Sequence, residues 1–271
     1  MPRLGPSGWI GALLVGWLLV LAAVGPLLAA QGPLTQDVAA RLQAPSGGHL
    51  LGTDELGRDV LSRLLWGARV SLGVGVAAVV FALLIGSLVG LVAGGYGHWV
   101  DDVLMRLMDV LLAFPGTLLA IGVVAVRGPG LGNTLVAIGV IGIPHYARLI
   151  RSDVLSIRER EFVAAARCIG AGNGRILFRH VLPNAVSPVL VQATLGIGAA
   201  ITQAAGLGFL GLGAQPPTPE WGEMLSSGYV YLLRAPWAML GPSIALILTV
   251  VGFNLVGDAL RDTLDPRSRT R

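Results

Sequence analysis

Long apolar stretches separated by short polar ones dominate this chain of 271 residues. Residues 8–30 carry no charged side chain over 23 positions. A helix of that length rises about 35 Å, which exceeds the hydrocarbon core of a bilayer, roughly 30 Å thick. Comparable stretches follow at residues 70–94, 103–126, 131–150, 188–213 and 238–256. The pattern predicts an all-α integral membrane protein with six transmembrane helices.

The first apolar stretch also has features of a cleaved signal peptide. Arg3 precedes the stretch, and Leu28, Ala29 and Ala30 resemble a small-residue cleavage site. The stretch is longer than the apolar core of a signal peptide, which has about 7 to 15 residues. We therefore expect a retained helix.

Polar residues divide the rest of the chain into regions. The N-terminal segment with the first helix (1–30) precedes a first polar segment (31–69), a five-helix core (70–260) and a tail (261–271). Two polar parts interrupt the core, a charged segment (155–184) and a second polar segment (214–237). Composition agrees, because 54% hydrophobic and 13% charged residues, with a mean hydropathy of +0.74, leave too little polar surface for a soluble globule.

Each polar segment carries its own local signals. The first polar segment balances four acids against four arginines, and Thr53 or Asp54 is expected to cap a helix that begins near Glu55. The second polar segment is rich in proline and then in aromatic residues, as in a structured loop at the membrane interface.

Small residues recur at four-residue spacing in two of the predicted helices, which lets a neighbouring helix approach closely. These stripes are Gly86, Gly90 and Gly94, and Gly196, Ala200, Ala204 and Gly208. The second of these helices also carries Thr202 and Gln203 in mid-membrane. Polar groups there are unfavourable against lipid, so both are candidates for lining a pathway.

The third predicted helix contains a proline and an acid. Pro115 removes one backbone hydrogen bond and predicts a kink. Asp109 is expected to pair with Arg106 one turn earlier, and a proton relay is the alternative.

Basic residues decide the predicted orientation. Seven arginines and three acids lie between the fourth and fifth helices, and the tail is also rich in arginine. Basic residues near the ends of transmembrane helices stay in the cytoplasm. Both termini and the charged segment are therefore expected in the cytoplasm, and the two polar segments outside.

Catalytic and nucleic-acid chemistry find no support in the sequence. All 19 basic residues are arginine, so the lysine of a nucleotide-binding P-loop is missing. The four histidines are scattered without metal-ligand spacing, and Cys168 is the single cysteine. No stacking aromatic residues accompany the arginines of the charged segment. We expect a non-enzymatic chain without a cofactor or metal of its own, embedded in the lipid bilayer, that binds no nucleic acid.

Motifs in the charged segment resemble a known family. Ala165 and Ala166, Gly170, and Leu182 with Pro183 resemble the EAA loop of permease subunits in binding-protein-dependent ABC importers. Longer stretches resemble the peptide/nickel permease family, the branch with dipeptide, oligopeptide and nickel permeases. These stretches are residues 52–72, 158–184, 206–225 and 257–267.

The charged segment departs from the general EAA pattern at two positions. Ala164 stands where that pattern has glutamate, and the nearest acid is Glu161. His180 stands where the pattern has isoleucine. The role of Glu161 is therefore open.

The resemblance implies a type I ABC importer permease in a bacterial inner membrane. Its implied partners are a second, different permease subunit, two ATPase subunits that bind ATP and magnesium, and an extracytoplasmic substrate-binding protein. Peptides or nickel chelates are the implied substrates. An ion-coupled secondary transporter is the alternative, although neither buried coupling charges nor internal repeats support it.

The resemblance also implies roles for residues. The charged segment would form a cytoplasmic coupling helix that docks on an ATPase through Glu161, Ala164, Ala165, Ala166, Arg167, Gly170, Arg175, Arg179, Leu182 and Pro183. The polar segments would contact the binding protein through Asp54, Arg58, Glu220 and Trp221.

Overall fold

The computed structural model describes residues 5–264, and its regular secondary structure is helical. The described chain contains no strand, only one isolated bridge between Thr53 and Asp59. The predicted tail lies outside the described residues from position 265 onward. The helices are α1 (Pro6–Leu28), α2 (Val60–Tyr96), α3 (His98–Ala113), α4 (Gly116–Arg127), α5 (Leu131–Arg158), α6 (Glu161–Cys168), α7 (Asn173–Ile176), α8 (Leu182–Phe209), α9 (Trp221–Tyr229) and α10 (Trp237–Leu264).

Five helices in the described chain are long and apolar enough to cross a membrane, namely α1, α2, α5, α10 and the part of α8 from residue 188 to 209. The sixth candidate is the pair α3 and α4, which meet at an angle of 92°. The prediction of six transmembrane helices agrees with these five helices together with the bent pair, but the third unit is two helices and not one kinked helix.

The break between α3 and α4 follows from Pro115. Proline lacks a backbone N–H and disfavours helical geometry in the residue before it. Phe114 is accordingly extended, with φ −91° and ψ 138°, and Pro115 caps the start of α4. Pro144 lies within the continuous helix α5.

Charged pairs connect α3 to α5 and correct the prediction for Asp109. Its carboxylate Oδ1 lies 2.5 Å from Nη2 of Arg148, and not in an ion pair with Arg106. Asp101 pairs in the same way with Arg151. The Asp109–Arg148 pair therefore links α3 to α5, and the proton relay stays an untested alternative.

The first stripe of small residues confirms its predicted role. A Cβ atom added at Gly86 would lie 2.6 Å from the carbonyl oxygen of Ile143, and one at Gly94 would lie 2.9 Å from Cβ of Val154. Such distances are too short for any larger side chain, so α2 and α5 pack backbone to backbone along this stripe.

The stripe on α8 has contacts on two sides. Ala200 and Ala204 are buried in the cluster that α2, α4, α5 and α8 share. Gly208 lies against the start of α9, where an added Cβ would be 3.2 Å from Cα of Gly222. This close approach brings α9 against the end of α8.

Helix α2 begins later than predicted. Asp59 is its N-cap, and its carboxylate accepts a hydrogen bond from the backbone N–H of Ser62 at 2.8 Å. Asp54 instead closes a turn, because its Oδ1 accepts from the backbone N–H groups of Leu56 and Arg58. Gly57 in that turn has φ +73°, a conformation that favours glycine. The prediction of a helix from Glu55 is therefore wrong.

The polar and charged segments lie at opposite ends of the helix bundle. The indole N–H of Trp237 donates to the carbonyl of Thr53 at 3.2 Å, which joins the two polar segments. At the other end, Leu177 of the charged segment packs on Gly95 at the end of α2. The bundle thus presents two chemically different ends.

Candidate functional site

Helix α6 in the charged segment is anchored by two apolar residues. Val163 and Ala166 are buried in a cluster that joins the ends of α2, α5 and α8. The other members of this cluster are Leu91, Ile150, Val154, Ile157, Ile176, Leu177, Val181, Ala185 and Val189. Packed side chains therefore connect α6 to three membrane-spanning helices.

The opposite surface of α6 is exposed. Glu161, Ala164, Ala165 and Arg167 all have solvent-accessible side chains. Ala166 was predicted to belong to this surface, but it is buried, because it lies three residues after Val163 on the same side of the helix.

Sequence reasoning missed an apolar stripe on this surface. Phe162 and Ile169 are 40% and 87% exposed, and Ala165 lies between them at helical spacing. The spacing i, i+3, i+7 was the available signal. Large exposed apolar side chains outside the bilayer are characteristic of a protein contact surface.

Gly170 ends α6 in a defined way. Its φ is +84°, and its N–H donates to the carbonyl of Arg167 at 2.9 Å. The N–H of Ala171 donates to the carbonyl of Ala166 at 3.0 Å. Together these bonds form a Schellman motif, which requires a left-handed residue at the glycine position. The predicted turn at Gly170 is confirmed in its geometry.

The remainder of the charged segment returns to the membrane. Arg175 and Arg179 are exposed and form no ion pair within residues 5–264. Leu182 is half-buried against the anchoring cluster, and Pro183 is exposed in the first turn of α8, where proline is tolerated. The predicted docking residues therefore include exposed and packed members.

A buried ion network joins the two polar segments at the other end of the bundle. Nη2 of Arg63 lies 2.7 Å from Oε2 of Glu223, and Nε of Arg58 lies 2.6 Å from Oδ2 of Asp54. Arg58 also pairs with Glu55 at 2.7 Å. Burial raises the pKa of the Glu223 carboxyl, and the charge of Arg63 opposes that shift.

Glu220 and Trp221 connect α9 to α2. The Glu220 carboxylate caps α9 by accepting from the backbone N–H groups of Gly222 and Glu223, each at 2.9 Å, and it also accepts from the hydroxyl of Ser71. Burial raises the pKa of Glu220, and these three hydrogen bonds oppose the shift. The Trp221 indole N–H donates to the carbonyl of Leu64 at 3.1 Å.

The four residues predicted to contact a binding protein therefore lie inside the chain. Arg58 is 3% exposed and Trp221 is 1% exposed, and Asp54 and Glu220 are also buried. They hold the polar segments together and do not form the outer surface. Contact between these segments and a binding protein stays a prediction, but other side chains would have to make it.

A cavity of about 220 Å³ lies on the face where α2, α5 and α8 meet. The polar side chains that line it include His145, Gln192 and Gln203, and all three residues are exposed on the surface of the single chain. Thr202 does not line this cavity, and its hydroxyl donates to the carbonyl of Gly198 in the same helix at 3.0 Å. Sequence reasoning missed Gln192, although it lies three helical turns before Gln203.

The described residues include no group of three or more histidine, cysteine or acidic side chains that could hold a metal ion. The functional features of the described chain are an exposed helix packed on three spanning helices, a buried ion network at the other end of the bundle, and a cavity on the face of α2, α5 and α8 that Gln192 and Gln203 line. Together with the membrane-length helices they are typical of a multi-pass membrane transport protein.

The chain belongs to a known family of transport proteins. Residues 82–270 match the family of inner membrane components of binding-protein-dependent transport systems. The chain is 49% identical over 261 residues to the dipeptide transport system permease protein DppC of Alkalihalophilus pseudofirmus, covering 96% of this chain and 86% of that protein. It is 51% identical over 223 residues to the glutathione transport system permease protein GsiD of Escherichia coli, covering 82% and 74% respectively.

A solved structure agrees in fold. The MetNI methionine ABC transporter in an inward-facing conformation matches with a TM-score of 0.59 over 74% of this chain and 96% of that chain, at 21% identity. The resemblance to ABC importer permeases and to their peptide branch is thereby confirmed, as is the type I permease fold. The chain is a multi-pass protein of the inner membrane.

Proposed function

We propose that this chain is a permease subunit of an ATP-driven importer for small peptides. The relatives support this substrate class, because those named above are permeases for dipeptides and for glutathione, itself a small peptide. Nickel, the other substrate implied by the sequence resemblance, has no support from them. The chain would form half of the pathway, and a second, different permease subunit the other half.

The charged segment would connect this permease to two ATPase partners, which bind ATP and magnesium. The observation that carries this proposal is the double face of α6. One face packs through Val163 and Ala166 on the ends of three spanning helices, and the other exposes Ala165, Phe162 and Ile169. A helix with one fixed and one free apolar face transmits motion between a soluble partner and the bundle.

The charged segment and both termini would lie in the cytoplasm, with the polar segments outside. The excess of arginine in the charged segment supports this orientation. The end of the bundle that carries the buried ion network would then receive the substrate-binding protein, through residues other than the buried Asp54, Arg58, Glu220 and Trp221. ATP would drive a two-state change in which the bundle opens alternately to each side.

Uptake of a labelled dipeptide tests the proposal. The complete importer would be expressed in a bacterial strain that lacks its own peptide importers, with and without this chain. Uptake that requires this chain, the ATPase subunits and ATP is the expected result. Uptake that proceeds without ATPase subunits and follows an ion gradient would overturn the proposal.

A further inference from the structure

We propose that the cavity between α2, α5 and α8 is this chain's share of the pathway, and that Gln192 and Gln203 hydrogen-bond the peptide bonds of the passing substrate. The inference deepens the proposed function and rests on it. Three observations carry it: the position of the two glutamines, their lack of partners within the chain, and the absence of fixed charge around them.

The two glutamines lie along the membrane-spanning part of α8. They are 11 residues apart, and both line the cavity. Eleven residues of helix correspond to about 16 Å, roughly half the thickness of the hydrocarbon core. The two side chains therefore follow the direction in which a solute crosses.

The side chains of the two glutamines have no hydrogen-bond partner within residues 5–264, and both residues are exposed. A free amide against hydrocarbon is unfavourable, so polar groups at this depth face a water-filled cavity or another protein. Ala199, an exposed small residue of the same helix, lines the cavity beside them.

The cavity carries no acidic residue or arginine among its described lining residues. It has thirteen such residues, and none is an aspartate, glutamate or arginine. A fixed charge in a partly dry cavity would hold substrates of opposite charge and repel those of like charge. An amide side chain instead offers one acceptor and one N–H₂ donor, which complement the N–H and C=O of any peptide bond. The cavity would therefore recognise the backbone that all peptides share.

A second cavity in the described chain lacks this chemistry. It has about 430 Å³ between α1, α2 and α10 and is lined almost entirely by apolar side chains. The indole N–H groups of Trp221 and Trp237 on its wall already donate to Leu64 and Thr53. It offers no free partner to a peptide bond.

A charge-selectivity experiment tests the inference. Cells with the complete importer receive equal amounts of an acidic and a basic dipeptide, and uptake ratios are expressed relative to wild type, which removes the preference of the binding protein. Gln203→Glu is expected to shift the ratio toward the basic peptide by about tenfold, as a unit charge at this depth requires. Gln203→Leu is expected to slow both peptides equally, and Thr202→Val, beside the cavity, to leave the ratio unchanged.

Thiol labelling provides a readout that does not depend on transport. In a Cys168→Ser background, Gln203→Cys is expected to react with a membrane-impermeant thiol reagent, whereas Ile247→Cys, an exposed apolar position on α10, is not. Absent labelling at position 203, or an unchanged uptake ratio in Gln203→Glu, would overturn the inference. If the wild-type importer transports no peptide while position 203 is labelled, the proposed substrate class fails and the pathway assignment stands.

Discussion

Replacing Gly170 by alanine tests the coupling role of the charged segment with a minimal change. Gly170 has φ +84°, and a Cβ added there would meet no atom within 4 Å. The change therefore creates no clash, and only the backbone conformation is penalised. An alanine in the left-handed region costs about 1–2 kcal/mol, which corresponds to roughly a 5- to 30-fold shift toward other conformations of the turn.

Loss of the turn would displace Ile169 and the end of α6 without touching the buried anchor at Val163. We expect Gly170→Ala to lower peptide uptake and substrate-stimulated ATPase activity several-fold in the reconstituted importer. Amounts of this chain in the membrane should stay at the wild-type level, because the anchoring cluster is intact. Gly170→Asn should retain more activity, since asparagine tolerates the left-handed conformation better than alanine.

A neighbouring glycine supplies the matched control. Gly172 has φ −68° and ψ 156°, an extended conformation open to any residue, and an added Cβ there also meets nothing within 4 Å. Gly172→Ala should therefore behave as wild type. Equal impairment by Gly170→Ala and Gly172→Ala, or full activity in Gly170→Ala, would refute the reasoning.

Three further predictions concern the stability of the bundle. Glu223→Ala leaves Arg63 buried without its partner and should destabilise the protein by about 3–5 kcal/mol in a thermal melt in detergent. Arg63→Met combined with Glu223→Leu should cost much less, because no buried charge is left unpaired. Equal losses of stability in the single and the double variant would contradict the role of the ion pair. Burial raises the folded-state pKa of Glu220, so its stabilising contribution is present below the unfolded pKa and is lost as pH rises through the folded pKa. The melting temperature of wild type minus that of Glu220→Gln should therefore fall as pH rises, and an opposite slope would refute the assignment. Gly90→Ala should lower the stability of the protein by about 1–3 kcal/mol, because the added methyl group forces α2 away from the backbone of Ala147. Gly73 has open space around it, so Gly73→Ala should not lower the stability. Similar melting temperatures for the two variants would contradict the close packing of α2 on α5.

Hydrophobic pattern predicted the fold well because a bilayer demands long apolar helices with few exceptions. The stripe at Gly86, Gly90 and Gly94 was also predictable, since its spacing alone places it on one helix face. At Pro115 the sequence predicted only a kink in one helix, whereas the structure has two separate helices. Proline usually kinks a helix, and the sequence did not show that Phe114 would become extended and turn the chain by 92°.

The candidate site was predicted unevenly. Gly170 was identified through the resemblance to the EAA loop, and the structure gives it the left-handed conformation that favours glycine at a helix end. Ala166 was predicted on the exposed surface of α6 but is buried. The helix has two apolar stripes, and tertiary contacts that no local pattern contains decide which stripe packs inward. The same limit applies to Glu220, which resembles a surface charge in sequence but is buried and accepts a hydrogen bond from Ser71, 149 residues earlier in the chain.

Cross-linking from α6 to the ATPase subunit tests the central claim most directly. In a Cys168→Ser background, Ala165→Cys would be placed on the exposed face of α6, and Leu233→Cys, fully exposed at the opposite end of the bundle, would serve as the control. A reagent that couples to a thiol at one end and carries a photoreactive group at the other, applied to the assembled importer and activated by light, is predicted to join the chain to an ATPase subunit from position 165 and not from position 233. Failure to cross-link from position 165, or equal cross-linking from position 233, would contradict the account.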